Sequence, residues 1–272
     1  MNERPDAPRP APLGMYGTDA NLAPSPPDAV LRYASHPRGI AELRVPAGEG
    51  PFPMAVIFHG GCWKTGIADQ NYMAPLATRW QQQGIATLNV DYREVGDGGG
   101  WPGSFADWRD AAGLIDQVAR RHPIDRARVT LVGHSAGALP ALWLPGPEGE
   151  GGPLPGRNAL TARAAIVLDG PASVGREQPA FDALCEFSSV GPFLGDDGRG
   201  NAIAPRPMLR EILFVQARLP APPAASLAEA GAGGARVVVR TNPGVSHFAI
   251  ITPGDPAYAA NEAAIIAVLQ GR

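Results

Sequence analysis

Three short stretches carry side chains whose types and spacing could do chemistry. Residues 132–137 read VGHSAG, residues 245–248 read VSHF, and residues 58–63 read FHGGCW. A serine hydroxyl is a weak nucleophile until a neighbouring base takes its proton, and imidazole titrates in the range that suits that task near neutral pH. A serine and a histidine in such settings usually work with a carboxylate that orients the ring. The series Gly133-His134-Ser135-Ala136-Gly137 lies between the apolar run RVTLV and a helical pattern, so it has the strand-to-helix context that G-x-S-x-G needs to be meaningful. A sharp turn there exposes the serine hydroxyl, and side chains in place of the two glycines would collide with neighbouring backbone. The helix N-terminus beneath the serine favours developing negative charge, and the Ala136 N–H is a donor for an oxyanion.

These residues must be held by a scaffold, and the rest of the chain supplies its pattern. Apolar runs at 40–46, 54–60, 85–92, 128–134, 163–169, 211–216 and 236–240 are short and rich in Val, Ile and Leu. Such runs suit strands buried on both faces of a mostly parallel sheet. Helical patterns lie between them. In SFADWRDAAGLIDQVARRH, Ser104 and Asp107 have capping-box spacing and Phe105, Trp108, Ala112, Ile115 and Val118 recur at helical intervals. NYMAPLATRWQQQG ends at Gly84, a natural stop, and the last helix opens with Asp255 as cap and Pro256 at its first position. Alternating strands and helices predict an α/β fold, a mostly parallel sheet of seven or eight strands with helices on both faces. Residues 1–30 read as an extended arm and 31–272 as one domain. Residues 171–207 interrupt the alternation and read either as a small cap over the sheet edge or as a long surface loop.

Composition narrows the partners. The chain has 272 residues and a formal net charge of -3, and its one lysine is Lys64. Nothing in it attracts a phosphate backbone or an anionic membrane, so nucleic acid and membrane partners are not expected. No apolar run reaches the length of a membrane span, and the N-terminus lacks the apolar core of a secretory signal, which points to a cytoplasmic protein. Cys62 and Cys185 lack metal-ligand spacing, leaving free thiols as the default and a single bridge as the alternative. Neither a metal nor an organic cofactor is implied, and oligomeric state is not legible.

In their residues, GHSAG and FHGGCW resemble the α/β-hydrolase fold, and within it the HGGxW esterase and lipase branch that includes the kynurenine formamidases. GGGWPGSFADW (98–108) and HFAIITP (247–253) are similar to the same branch, and the resemblance runs over roughly residues 30–270. It implies Ser135 as nucleophile and, from the chain order serine, acid, histidine, His247 as base. It implies an oxyanion hole of backbone N–H groups from Gly60, Gly61 or Cys62 together with Ala136. The ring of His59 would hold that loop, while His36 and His122 read as surface residues. Cys62, Trp63, Trp101 and His134 are the candidate pocket residues, although large aromatics beside a sheet edge more often serve packing.

The family most often keeps an aspartate in the turn that follows the strand corresponding to EILFVQ. Here that turn, Ala217 to Ala221, has no carboxylate. Asp169, at the end of the preceding strand run, is the nearest substitute; its bland reading is a cap on the turn before Pro171. Asp196 and Asp197 are more distant options, and a serine-histidine pair without any acid is another. Pro140, five residues after the serine, also departs from the pattern by removing a donor from the helix. The expectation is a serine-dependent hydrolase of small carboxylic esters that works through an acyl-enzyme. Aryl formamides are the alternative substrates suggested by the resemblance. A catalytically impaired binding protein is the alternative suggested by the acid turn.

Overall fold

The computed structural model describes residues 22–144, 162–195 and 209–272. Eight strands form one sheet: β1 (Ala29–Arg32), β2 (Ile40–Arg44), β3 (Phe52–Phe58), β4 (Ala86–Val90), β5 (Ile124–His134), β6 (Ala164–Leu168), β7 (Glu211–Gln216) and β8 (Arg236–Thr241). Their spatial order is β1-β2-β4-β3-β5-β6-β7-β8, with the β1–β2 and β2–β4 pairs antiparallel and all others parallel. Every residue of β4, β6 and β7 is buried, as expected for strands covered on both faces.

The helices are α1 (Ala74–Gln82), α2 (Gly103–Ala112), α3 (Leu114–Ala119), α4 (Ala138–Trp143), α5 (Gln178–Cys185), α6 (Val190–Leu194), α7 (Ala224–Ala230) and α8 (Pro256–Gln270). Alternate strand residues feed two cores. Met54, Val56 and Phe58 of β3 pack with residues of α2 to α6 on one face, while Ala55 and Ile57 pack with α1 and α8 on the other. Asp255 caps α8 by accepting the Ala257 N–H at 2.7 Å, and Gly84 follows α1 with a φ of +80°, both as the sequence predicts. No helix among the described residues is long and apolar enough to cross a membrane.

Several local expectations give way to tertiary contacts. β1 begins inside the segment read as an arm, and Ser25 before it hydrogen-bonds Thr78 and Gln81 of α1; residues 1–21 lie outside the described part. The capping box at Ser104 does not form. Instead Ser104 Oγ donates to the Arg93 carbonyl, and Asp107 accepts from Arg93 and contacts His36 Nε2 at 3.1 Å. His36 is therefore a half-buried hydrogen-bond partner of Asp107 rather than a plain surface residue. Residues 171–195 of the predicted excursion carry α5 and α6, whose Phe181 and Phe193 pack against Trp63 after β3 and, for Phe193, against Phe105 and Trp108 of α2; residues 196–207, with Asp196 and Asp197, lie outside the described part.

The parallel strands β3, β5, β6, β7 and β8 are neighbours and point the same way, so the segments leaving their carboxyl ends meet along one edge. Those segments begin at His59, Ser135, Asp169, Ala217 and Asn242, and the last of them carries His247.

Candidate active site

Ser135 follows β5 directly in a left-handed conformation, φ 55°, which a non-glycine residue adopts only when its surroundings impose it. The reason for the flanking glycines is visible in the packing. A Cβ at Gly133 would stand 2.0 Å from the Gly137 carbonyl oxygen, and one at Gly137 would stand 2.1 Å from that of Phe58. Gly60 is equally constrained, with a Cβ there falling 2.8 Å from Ser135 Cβ. The helix after the turn starts at Ala138, so Pro140 sits in its first turn. Its missing N–H would otherwise face the Ala136 carbonyl, which instead accepts the indole N–H of Trp63 at 3.1 Å. The departure noted in the sequence thus has a partner in the FHGGCW stretch.

Asp169 ends β6 with φ 46° and is fully buried. Its Oδ1 accepts the backbone N–H groups of Ala217 at 2.8 Å and Leu219 at 3.0 Å, and its Oδ2 accepts that of Arg218 at 2.8 Å. Oδ2 also lies 2.7 Å from His247 Nδ1. The turn after β7 that lacks a carboxylate therefore clamps, with three consecutive amides, a carboxylate from the neighbouring strand β6. Burial works against the charge, but the bond to His247, its positive form and the amide donors outweigh it and hold the carboxyl below its ordinary value. Because an ionised carboxylate only accepts, His247 donates through Nδ1 and keeps the Nε2 lone pair free for a proton.

His247 reaches the elbow through His134. Their ring centroids are 4.4 Å apart, and His134 Nε2 lies 3.1 Å from the His247 carbonyl oxygen. Among the described residues no hydrogen bond joins Ser135 Oγ to His247 Nε2, a contact that in such sites often tightens only in the substrate complex. His134 has no exposed surface, and burial, reinforced by the nearby His247, pushes its imidazole down to about 3, so it is neutral.

The turn after β3 is held from several sides. His59 is buried, stacks on Tyr92 at 4.2 Å, and contacts Asp91 Oδ1 at 3.1 Å and the Gly60 carbonyl at 2.6 Å, so its ring does hold the loop. Cys62 and Trp63 both have positive φ, and the Val95 N–H donates to the Trp63 carbonyl at 2.8 Å. Behind Gly61 lies the buried Glu94, whose Oε1 would meet an added Cβ at 3.1 Å; burial pushes that carboxyl up to about 9 although Arg38 stands 3.0 Å away. The Gly60 N–H donates to the Tyr72 hydroxyl. That removes Gly60 from the expected oxyanion donors. The N–H groups of Gly61 and Cys62 make no hydrogen bond among the described residues.

Of the expected pocket residues, three are placed otherwise. Cys62 is not a free thiol but forms a disulfide with Cys185 at the end of α5, spanning 123 positions. Trp63 has no exposed surface; it stacks on Phe193 at 4.6 Å and packs against Phe181 at 4.9 Å, so it is core. His134 is buried as described. Trp101 is half-buried, edge-on to Phe105 at 5.0 Å. A pocket of about 210 Å³ lies beside the Asp169 clamp, walled by Pro171, Phe181, Leu219, Pro220 and Pro223; neither Ser135 nor His247 lines it. Sequence reading missed Tyr72, Glu94 and this proline-lined pocket. Among the described residues no group of three or more His, Cys, Asp or Glu could hold a metal ion.

Comparison with known proteins agrees with this architecture. A family model described as BD-FAE matches residues 43–145, which includes the β3 turn and the serine elbow but less than half of the chain. A solved structure of Thermogutta terrifontis esterase 2 phosphonylated by sarin is similar at a TM-score of 0.69 with 19% identity, covering 90% of this chain and 96% of that one. The propionate-bound structure of the Est2 esterase of the same species gives 0.63 at 18% identity, covering 94% and 95%. Esterase B from Lactobacillus Rhamnosis gives 0.66 at 15% identity, covering 92% and 89%. A sequence search of curated proteins finds no match. At these identities the structural likeness speaks for the fold, which is that of an α/β hydrolase.

Proposed function

We propose that the chain is a serine hydrolase acting on small carboxylic esters. The observation that carries this reading is the 2.7 Å bond between His247 Nδ1 and Asp169 Oδ2, which leaves the other imidazole nitrogen free to serve the elbow serine. Ser135 Oγ attacks the ester carbonyl while His247 Nε2 takes its proton. The tetrahedral oxyanion is received by the N–H groups of Ala136 and of Gly61 or Cys62. Its collapse expels the alcohol, protonated by His247, and leaves an acyl group on Ser135. Water then attacks the acyl-enzyme with His247 again as base, releasing the acid and restoring the serine. Asp169 keeps the ring in the required tautomer and stabilises the imidazolium. Support from relatives is of the same kind: the matched structures are named as esterases, one of them propionate-bound and one phosphonylated.

Fluorophosphonate labelling, read beside hydrolysis of a short-chain activated ester, tests the proposal. Labelling confined to Ser135 and turnover lost in Ser135→Ala are expected. An unlabelled serine with turnover equal to that of Ser135→Ala would remove the esterase reading and restore that of a binding protein. The FHGGCW residues also support aryl formamides as substrates, and a higher kcat/KM on formyl-kynurenine than on acetate esters would favour them. A cytoplasmic location is countered by the Cys62–Cys185 bridge, since such bonds persist mainly in oxidising compartments. Recovering the pair reduced from freshly lysed cells would favour the cytoplasm.

A further inference from the structure

Tyr72 and His134 are not needed by the reaction steps above, yet both are buried between the two halves of the site. Tyr72 precedes α1 and reaches across to the β3 turn, where its hydroxyl accepts the Gly60 N–H. The same hydroxyl lies 2.8 Å from His134 Nδ1, and His134 Nε2 lies 3.1 Å from the His247 carbonyl oxygen. The direction of every bond in this series is fixed by chemistry. A backbone N–H can only donate, so Tyr72 accepts from Gly60, and because a carbonyl can only accept, the single proton of the neutral His134 ring sits on Nε2 facing His247. Nδ1 is left without a proton and accepts, so the Tyr72 hydroxyl donates to it.

We propose that Tyr72 and His134 are positioning residues that couple the oxyanion turn to the catalytic base through one continuous hydrogen-bond series, Gly60 to Tyr72 to His134 to His247. The inference rests on the esterase reading. By occupying the Gly60 N–H, Tyr72 fixes the turn so that the next two N–H groups remain open for the oxyanion. By donating to the backbone of His247, His134 fixes the loop that carries the base. Neither residue touches the reacting atoms. A neutral His134 also matters because its ring lies 4.4 Å from that of His247, which gains a positive charge during turnover. A second cation there would oppose that charge, and the buried imidazole is held neutral.

Two variants separate the links. Tyr72→Phe keeps the ring and removes the hydroxyl. His134→Gln places an amide N–H near the former Nε2 and removes the acceptor that Tyr72 requires. Each should lower kcat on a short-chain ester by about 10- to 100-fold, with KM moving less than about threefold, because the lost bonds orient catalytic groups rather than bind substrate. The double variant should be no slower than the slower single one, since both break the same series. Losses that multiply, a loss carried by KM, or unchanged kcat in Tyr72→Phe would overturn the proposal. Nitrogen-15 NMR of the unsubstituted protein gives a test that needs neither turnover nor a folded variant. Between about pH 5 and pH 8, His134 should stay neutral with its proton on Nε2. A charged ring, or a proton on Nδ1, would overturn the series. If the unsubstituted protein hydrolyses no ester while the NMR result holds, the esterase reading fails and the hydrogen-bond series stands.

Discussion

The two sides of the elbow serine are built on opposite plans. On the acid side every acceptor position is filled: Asp169 receives three backbone amides and His247, all between 2.7 and 3.0 Å. On the oxyanion side the chain is held just as firmly, by the Cys62–Cys185 bridge, the buried Trp63 and Tyr72, while the Gly61 and Cys62 N–H groups have no partner among the described residues. In the proposed reaction one side keeps a charge that is present before, during and after the chemistry. The other must receive a charge that exists only in passing, so its donors have to be fixed in place and unspent. Firmness is common to both, and what differs is whether the polar groups are used up.

That contrast can be broken most severely at Asp169. In Asp169→Asn one amide hydrogen must face a donor, either a backbone N–H or His247 Nδ1, and the ring loses its reason for the required tautomer. Turnover should fall by about ten-thousand-fold with the protein still folded, measured by ester hydrolysis beside circular dichroism; unchanged turnover would mean the clamp is structural only. The same variant has a pH signature. A carboxyl held below its ordinary value contributes stability that is complete well above the unfolded value of about 3.9 and is lost as pH falls through the folded value. Thermal melts between neutral and acid pH should therefore decline less steeply for the Asn variant.

On the opposite side, Gly61→Ala should cost about 100- to 1,000-fold in kcat, because the residue has φ +113° and its new Cβ would meet Ala68 Cβ at 2.9 Å. A smaller effect, about tenfold, is expected from Ala217→Pro, which deletes one of the three amides at Asp169, whereas Ala217→Gly should be nearly silent because only the amide is used. If both behave alike, the side chain and not the clamp matters. The smallest effect on rate should come from opening the disulfide with Cys185→Ser or a reductant. Turnover at room temperature should change by less than about threefold, whereas the melting temperature should fall by roughly 8 °C, the consequence of freeing a long loop in the unfolded chain.

The elements that carry the site were legible wherever burial dictated the sequence. The all-buried strands β4, β6 and β7 had to be continuous apolar runs, and the elbow had to have glycines because a Cβ at Gly133 or Gly137 would stand 2.0 or 2.1 Å from a backbone carbonyl oxygen. β1 was illegible because its four residues alternate half-buried and exposed at a sheet edge. Ser104 and Asp107 had the spacing of a cap, but nothing local reveals that Arg93, far ahead in the chain, would claim both. The bridge was hidden by its 123-residue separation, and Tyr72 by a helical pattern in which a tyrosine needs no special reason. Asp169 was readable only as a substitute. The three amides that secure it are invisible in sequence because every residue except proline has one.

That last point defines how freely the turn after β7 can be rewritten. Its side chains do not orient the base, so at residues 217–219 the acid depends only on the amides and the backbone path, although Leu219 is itself buried in the core. Leu219 and the prolines after it already form a wall of the adjoining pocket. A library varied at those wall positions, with proline barred from 217 to 219, would reshape that pocket without moving the acid. The clamp thereby lets the wall of that pocket change independently of the carboxylate it holds, and the segment becomes a natural place to redesign this protein.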